Sequence, residues 1–132
     1  MKRLAIATVL ASGLLLQTLA YAGAHFTDPV SIYNATAGGG SAIGSISTAR
    51  YYTSDTSQYI GCSASSDTIS STYIACSARD ASGHYLYCYS SSATQAARDA
   101  VAAVNTTSYV YFVANSSGQC TYITVGNFSY YL

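Results

Sequence analysis

The sequence predicts an α+β fold: a mostly antiparallel β-sheet of about six strands with one helix packed on a face, stabilised by disulfides. Three observations predict it. From Ile43 onward, short runs of Tyr, Ile, Val and Thr alternate with Ser, Gly and Asp clusters, the usual marks of strands and turns. One alanine-rich stretch has helical spacing. The four cysteines, Cys62, Cys76, Cys88 and Cys120, are an even count, which in a small exported chain reads as two bridges.

Export is read from residues 1–22, which have the zones of a cleavable signal peptide. Lys2 and Arg3 form a basic start, Leu4 to Leu19 an apolar run, and Ala20-Tyr21-Ala22 a small-x-small pattern before a cut at Gly23. Thr8, Ser12, Gly13, Gln17 and Thr18 interrupt the run, which is short for a membrane span of about 20 mainly apolar residues. The expected location is periplasmic or secreted. After cleavage Arg50, Arg79 and Arg98 stand against five aspartates and no glutamate, a net charge of −2. Nucleic acid, which needs a basic stripe, is not an expected partner, nor is a membrane.

Residues 23–42 read as a flexible N-terminal arm. They hold the only proline, Pro29, and the Gly38-Gly39-Gly40-Ser41 stretch, with Val30, Ile32 and Tyr33 as a short extended piece between them. Residues 43–132 read as the disulfide-bonded β-rich domain. Its strands are expected near 43–53, 58–64, 72–79, 84–90, 109–114 and 119–126. Asp80-Ala81-Ser82-Gly83-His84 and Asn115-Ser116-Ser117-Gly118-Gln119 each fit a three-residue hairpin loop with glycine in the left-handed position. One helix interrupts the strands, capped by Ser91 or Ser92. Ala97, Ala100, Val101 and Val104 form its apolar stripe.

A weak repeat phases the strands. Tyr59-Ile60-Gly61-Cys62-Ser63-Ala64 recurs as Tyr73-Ile74-Ala75-Cys76-Ser77-Ala78, and more loosely as Tyr85-Leu86-Tyr87-Cys88-Tyr89-Ser90. Side chains alternate across a strand, so each unit puts its cysteine and an aliphatic residue on one face and tyrosine on the other. The Gly118 turn sets Ala114 opposite Cys120, in phase with Phe112 and Tyr122, which leaves Val113, Ile123 and Val125 on the tyrosine side. Strands apolar on both faces suit a covered position, so part of the tyrosine face is expected to be buried. Four cysteines allow three connectivities. The Gly83 turn opposes Cys76 to Cys88, whereas the repeat makes Cys62 and Cys76 partners and leaves Cys88 for Cys120. The second pairing is the one expected here.

Function is less legible. No CxxC, phosphate-cradling loop or His/Cys/carboxylate ligand spacing is present, so no metal and no cofactor are expected. The histidines are His25 and His84. Asp80 and His84 flank one turn, where a surface turn explains them more simply than catalysis, and no enzyme is expected. Thirteen of the fourteen tyrosines lie beyond residue 22. Tyr59, Tyr73, Tyr85, Tyr87 and Tyr89 share the face away from the cysteines, and large apolar rings with polar tips suit recognition. The expected function is non-catalytic: self-assembly or surface binding through that face, with a binder or inhibitor of an extracellular glycan or protein as the alternative and a small secreted hydrolase a distant third. A strand-like tail, Phe128 to Leu132, and the arm suggest assembly by strand addition. All four asparagines, Asn34, Asn105, Asn115 and Asn127, stand in glycosylation sequons, which a chain so rich in Ser and Thr also produces by composition alone.

Overall fold

The strands form two antiparallel sheets rather than one. The computed structural model describes residues 26–36, 39–66 and 72–129. The expected signal peptide, His25, Asp67 and the tail beyond Ser129 lie outside them. Seven strands are present among the described residues: β1 (Ser31–Thr36), β2 (Gly39–Ser45), β3 (Tyr59–Ser66), β4 (Thr72–Arg79), β5 (Tyr85–Ser90), β6 (Ser108–Ala114) and β7 (Cys120–Asn127). The first sheet runs β1-β2-β6-β7 and the second β3-β4-β5. The core lies between them. Ala42, Val110, Phe112 and Ala114 of the first sheet meet Ile60, Cys76, Ala78, Leu86 and Cys88 of the second in one buried cluster.

The expected arm is corrected by this arrangement. β1 pairs with β2, and β2 with β6, so residues 31–36 and 39–42 are sheet, and β1 already has its partner within the chain. Val30 is buried, and its N–H donates to Gln58 Oε1 at 3.0 Å. The glycines that resemble a linker permit close approach. A Cβ on Gly40 would sit 2.7 Å from the Tyr33 carbonyl oxygen, at a φ of +150°, where only glycine is at ease.

The strand expected over 43–53 stops at Ser45, where helix α1 (Ile46–Tyr51) begins. Ser45 ends it because its side chain caps the helix: Oγ accepts from the Thr48 N–H at 3.1 Å. The Ser45 hydroxyl also donates to Thr48 Oγ1 at 2.6 Å, and the Asp28 N–H donates to the same oxygen at 3.1 Å. Helix α2 (Gln95–Ala102) carries the expected stripe as far as Val101, which is buried, with Ala97 and Ala100 half-buried; Val104 falls beyond its C-cap Ala103. Its cap is Thr94, not Ser91 or Ser92; Oγ1 accepts from the Ala97 N–H at 3.2 Å. Neither helix covers a sheet face alone. α1 lies against β3 and also β2 and β6, and α2 against β3 and β7, so each touches strands of both sheets.

Both glycine hairpins are present. The Gly83 N–H donates to the Asp80 carbonyl at 3.0 Å and the Gly118 N–H to that of Asn115 at 2.9 Å. Beyond the second hairpin the expected phase fails. Ala114 opposes Cys120, but Val113 opposes Tyr122, a β-bulge that takes up Thr121. One extra residue exchanges the faces of everything after it. Ile123 and Val125 therefore oppose the buried Phe112 and Val110 on the core side, while Tyr122 opposes Val113 outside.

Candidate functional site

The alternation that buries the Ile60-Ala78-Leu86 row turns its neighbours outward. Tyr59, Arg79 and Tyr85 are register partners across β3, β4 and β5. The next outward rows are Gly61, Ser77 and Tyr87, then Ser63, Ala75 and Tyr89. Tyr73 opposes Ser65, and its ring packs 5.6 Å from that of Tyr89, centroid to centroid. All five tyrosines singled out from the sequence thus share the outer face of the three-stranded sheet. Four are well exposed, from 39% for Tyr89 to 53% for Tyr85, and Tyr73 is half-buried.

The face has a ridge and a shelf. Tyr85, Tyr87 and Tyr89 stand in a column along β5, about 7 Å apart because outward residues recur every second position. Beside them the β3 and β4 positions are small: Gly61, Ser63, Ala75 and Ser77. Partial burial raises the Tyr85 pKa above the ordinary phenol value, and negative charge on Tyr59 or Tyr87 would raise it further. Its hydroxyl therefore keeps its proton into more alkaline solution.

At one end lies the Gly83 turn. Asp80 Oδ1 accepts from the His84 N–H at 2.9 Å, and Oδ2 lies 2.8 Å from His84 Nδ1. Burial pushes the Asp80 carboxyl up, but the hydrogen bonds and charge of His84 outweigh it and the net shift is downward. His84 is 64% exposed, and the pair clasps the turn.

A second tyrosine face lies on the other sheet, and the sequence reading missed it. Ile43, Tyr111 and Thr124 are register partners across β2, β6 and β7. With Tyr109 and Tyr122 they line an open groove of about 440 Å³. The Tyr111 and Tyr122 ring centroids are 5.7 Å apart. The bulge at Thr121 builds this site by turning Tyr122 outward, and no glycine or proline marks it in the sequence.

The bridges are Cys62–Cys76, between register partners of β3 and β4, and Cys88–Cys120, between β5 and β7. The second therefore ties the two sheets together. The sequon asparagines Asn105, Asn115 and Asn127 make structural hydrogen bonds. Asn105 Oδ1 accepts from the Thr107 N–H at 2.9 Å, Asn115 Oδ1 from the Ser117 N–H at 3.0 Å, and Asn127 Nδ2 donates to the Ala103 carbonyl at 3.2 Å. These are turn and clasp contacts typical of the residue type. No helix among the described residues is long and apolar enough to cross a membrane. Comparison with protein families, with curated proteins and with solved structures finds no match.

Proposed function

We propose that this is an exported, non-catalytic protein that assembles with copies of itself, the β5 tyrosine ridge of one molecule seating in the Tyr109-Tyr111-Tyr122 groove of the next. The observation that carries the reading is the pair of outward tyrosine faces, a projecting column on one sheet and a groove of the same chemistry on the other. Tyrosine gives a large contact area at low entropic cost and keeps a polar tip for hydrogen bonding. A net charge of only −2 beyond residue 22 opposes association weakly. Two disulfides suit an oxidising compartment.

The test is the mass of the oxidised protein by light scattering across a wide concentration range. Growth with concentration, lost in Tyr85→Ala/Tyr87→Ala/Tyr89→Ala, supports the reading. A monomer at every concentration sinks it. The groove itself favours a second reading, a glycan binder in which a sugar ring stacks on Tyr111 or Tyr122. Its signature is a monomer whose intrinsic fluorescence responds to a glycan, and whose response is lost in Tyr122→Ala.

A further inference from the structure

The two bridges are neighbours. The Sγ atoms of Cys76, Cys88 and Cys120 all lie within 4.8 Å of one another. Cys76 is the register partner of Cys62 on one side and of Cys88 on the other. In an antiparallel ladder a residue points its N–H and C=O to one neighbouring strand, so opposed pairs alternate between close and hydrogen-bonded kinds. The Cα separation of 4.0 Å marks Cys62–Cys76 as a close pair. Cys76–Cys88 is then the hydrogen-bonded kind, with a Cα separation of about 5.5 Å, which a disulfide also spans. Cys76 and Cys88 are buried, whereas Cys62 and Cys120 are partly exposed.

We infer that the four cysteines form a thiol–disulfide exchange centre that takes a low-molecular-weight thiol as co-reactant and has a Cys76–Cys88 bridge as its alternate state. The incoming thiol gives up its proton to solvent, and its thiolate attacks Cys62 Sγ, the partly exposed end of its bridge. A mixed disulfide forms on Cys62, the Cys62–Cys76 bond breaks, and Cys76 leaves as a thiolate. That thiolate attacks Cys88 Sγ. The Cys76–Cys88 bond forms, the Cys88–Cys120 bond breaks, and Cys120 leaves as a thiolate and takes up a proton. One thiol and two disulfides enter, and one thiol and two disulfides remain, so no oxidant or reductant is needed. Exchange of this kind depends on thiolate character and access; access admits the two partly exposed sulfurs, Cys62 and Cys120, and attack at Cys62 is the one that frees Cys76 beside the second bridge. The result moves the free thiol from the co-reactant to Cys120 at the start of β7 and opens the disulfide that ties the two sheets. This inference stands independently of the tyrosine reading.

The test incubates the oxidised wild-type protein with glutathione, quenches with acid, alkylates free thiols and maps the linkages by mass spectrometry. The expected product carries glutathione on Cys62, a Cys76–Cys88 bridge and an alkylated Cys120. Glutathione on Cys62 with an alkylated Cys76 and an intact Cys88–Cys120 bridge would overturn the inference, as would no reaction at all. Cys62→Ser checks the second step alone, because it leaves Cys76 free from the start. A Cys76–Cys88 bridge with Cys120 alkylated supports the exchange, and Cys76 alkylated in every molecule opposes it.

Discussion

Phe112 has no solvent exposure and sits on β6 between the two sheets, among the largest side chains buried in the core. Its ring is held by neighbours on both layers, which cannot collapse together to fill the space it leaves. Phe112→Ala should therefore cost about 3–5 kcal/mol, read from urea unfolding with the slope unchanged. At Asp80 the argument is electrostatic. Its folded carboxyl titrates below its unfolded value, because His84 contacts outweigh the burial that acts the other way. Such a group contributes stability above the unfolded pKa and loses it as pH falls through the folded one. Asp80→Asn keeps an oxygen for the His84 N–H but loses the charge. The variant should be less stable at neutral pH by about 0.5–1 kcal/mol, a figure limited by solvent screening. The two proteins should converge as pH falls through the lowered folded pKa of Asp80, and a difference that persists once the carboxyl is protonated would show that the charge is not responsible.

Among elements, the glycines separate two kinds of constraint. Gly40 combines a positive φ with a Cβ position 2.7 Å from a backbone oxygen of β1, whereas at Gly83 the nearest atom to a Cβ is the flexible Arg79 guanidinium at 3.7 Å. Gly83→Ala should cost only the left-handed strain, about 1–2 kcal/mol. Gly40→Ala adds a clash within the β1–β2 hairpin and should cost distinctly more, with thermal midpoints giving the order. This contrast also explains what could be read from the sequence. The Gly83 and Gly118 hairpins were legible because turn chemistry is local, and β3 to β5 because the repeat sets tyrosine against cysteine at every second residue. The β1–β2 hairpin was not, since Gly39 and Gly40 look like a linker until the crossing backbone is known. α1 was hidden because Ile46 to Tyr51 has no long apolar period, and its serine cap stands in a serine-rich chain. The bulge at Thr121 had no local marker, so the phase of β7 was read inverted and the Tyr111-Tyr122 groove went with it. Of the candidate site, then, the ridge could be read and the groove could not.

On the scale of the whole molecule, the bridges and the tyrosine faces act at different levels. Cys62–Cys76 closes a separation of 14 residues within one sheet, and Cys88–Cys120 one of 32 between sheets. Loop entropy alone gives about 3 and about 4 kcal/mol respectively. The double alanine variant of the second pair should therefore unfold at lower urea than that of the first. The tyrosine faces decide symmetry instead. A face that binds its own kind makes an isologous contact and stops at a dimer, while a ridge that binds a groove makes a heterologous one that continues into a ring or an open filament. The proposed contact is of the second kind, so it is lost when either surface is removed. Tyr85→Ala/Tyr87→Ala/Tyr89→Ala keeps the groove, and Tyr111→Ala/Tyr122→Ala keeps the ridge; each alone should remain monomeric. Mixed together, they should form a heterodimer and nothing larger, because each supplies the one surface the other lacks. Light scattering of the mixture against the separate variants reads this directly. A groove variant that still dimerises alone would mean the ridge packs on itself, and the heterologous contact would have to be abandoned.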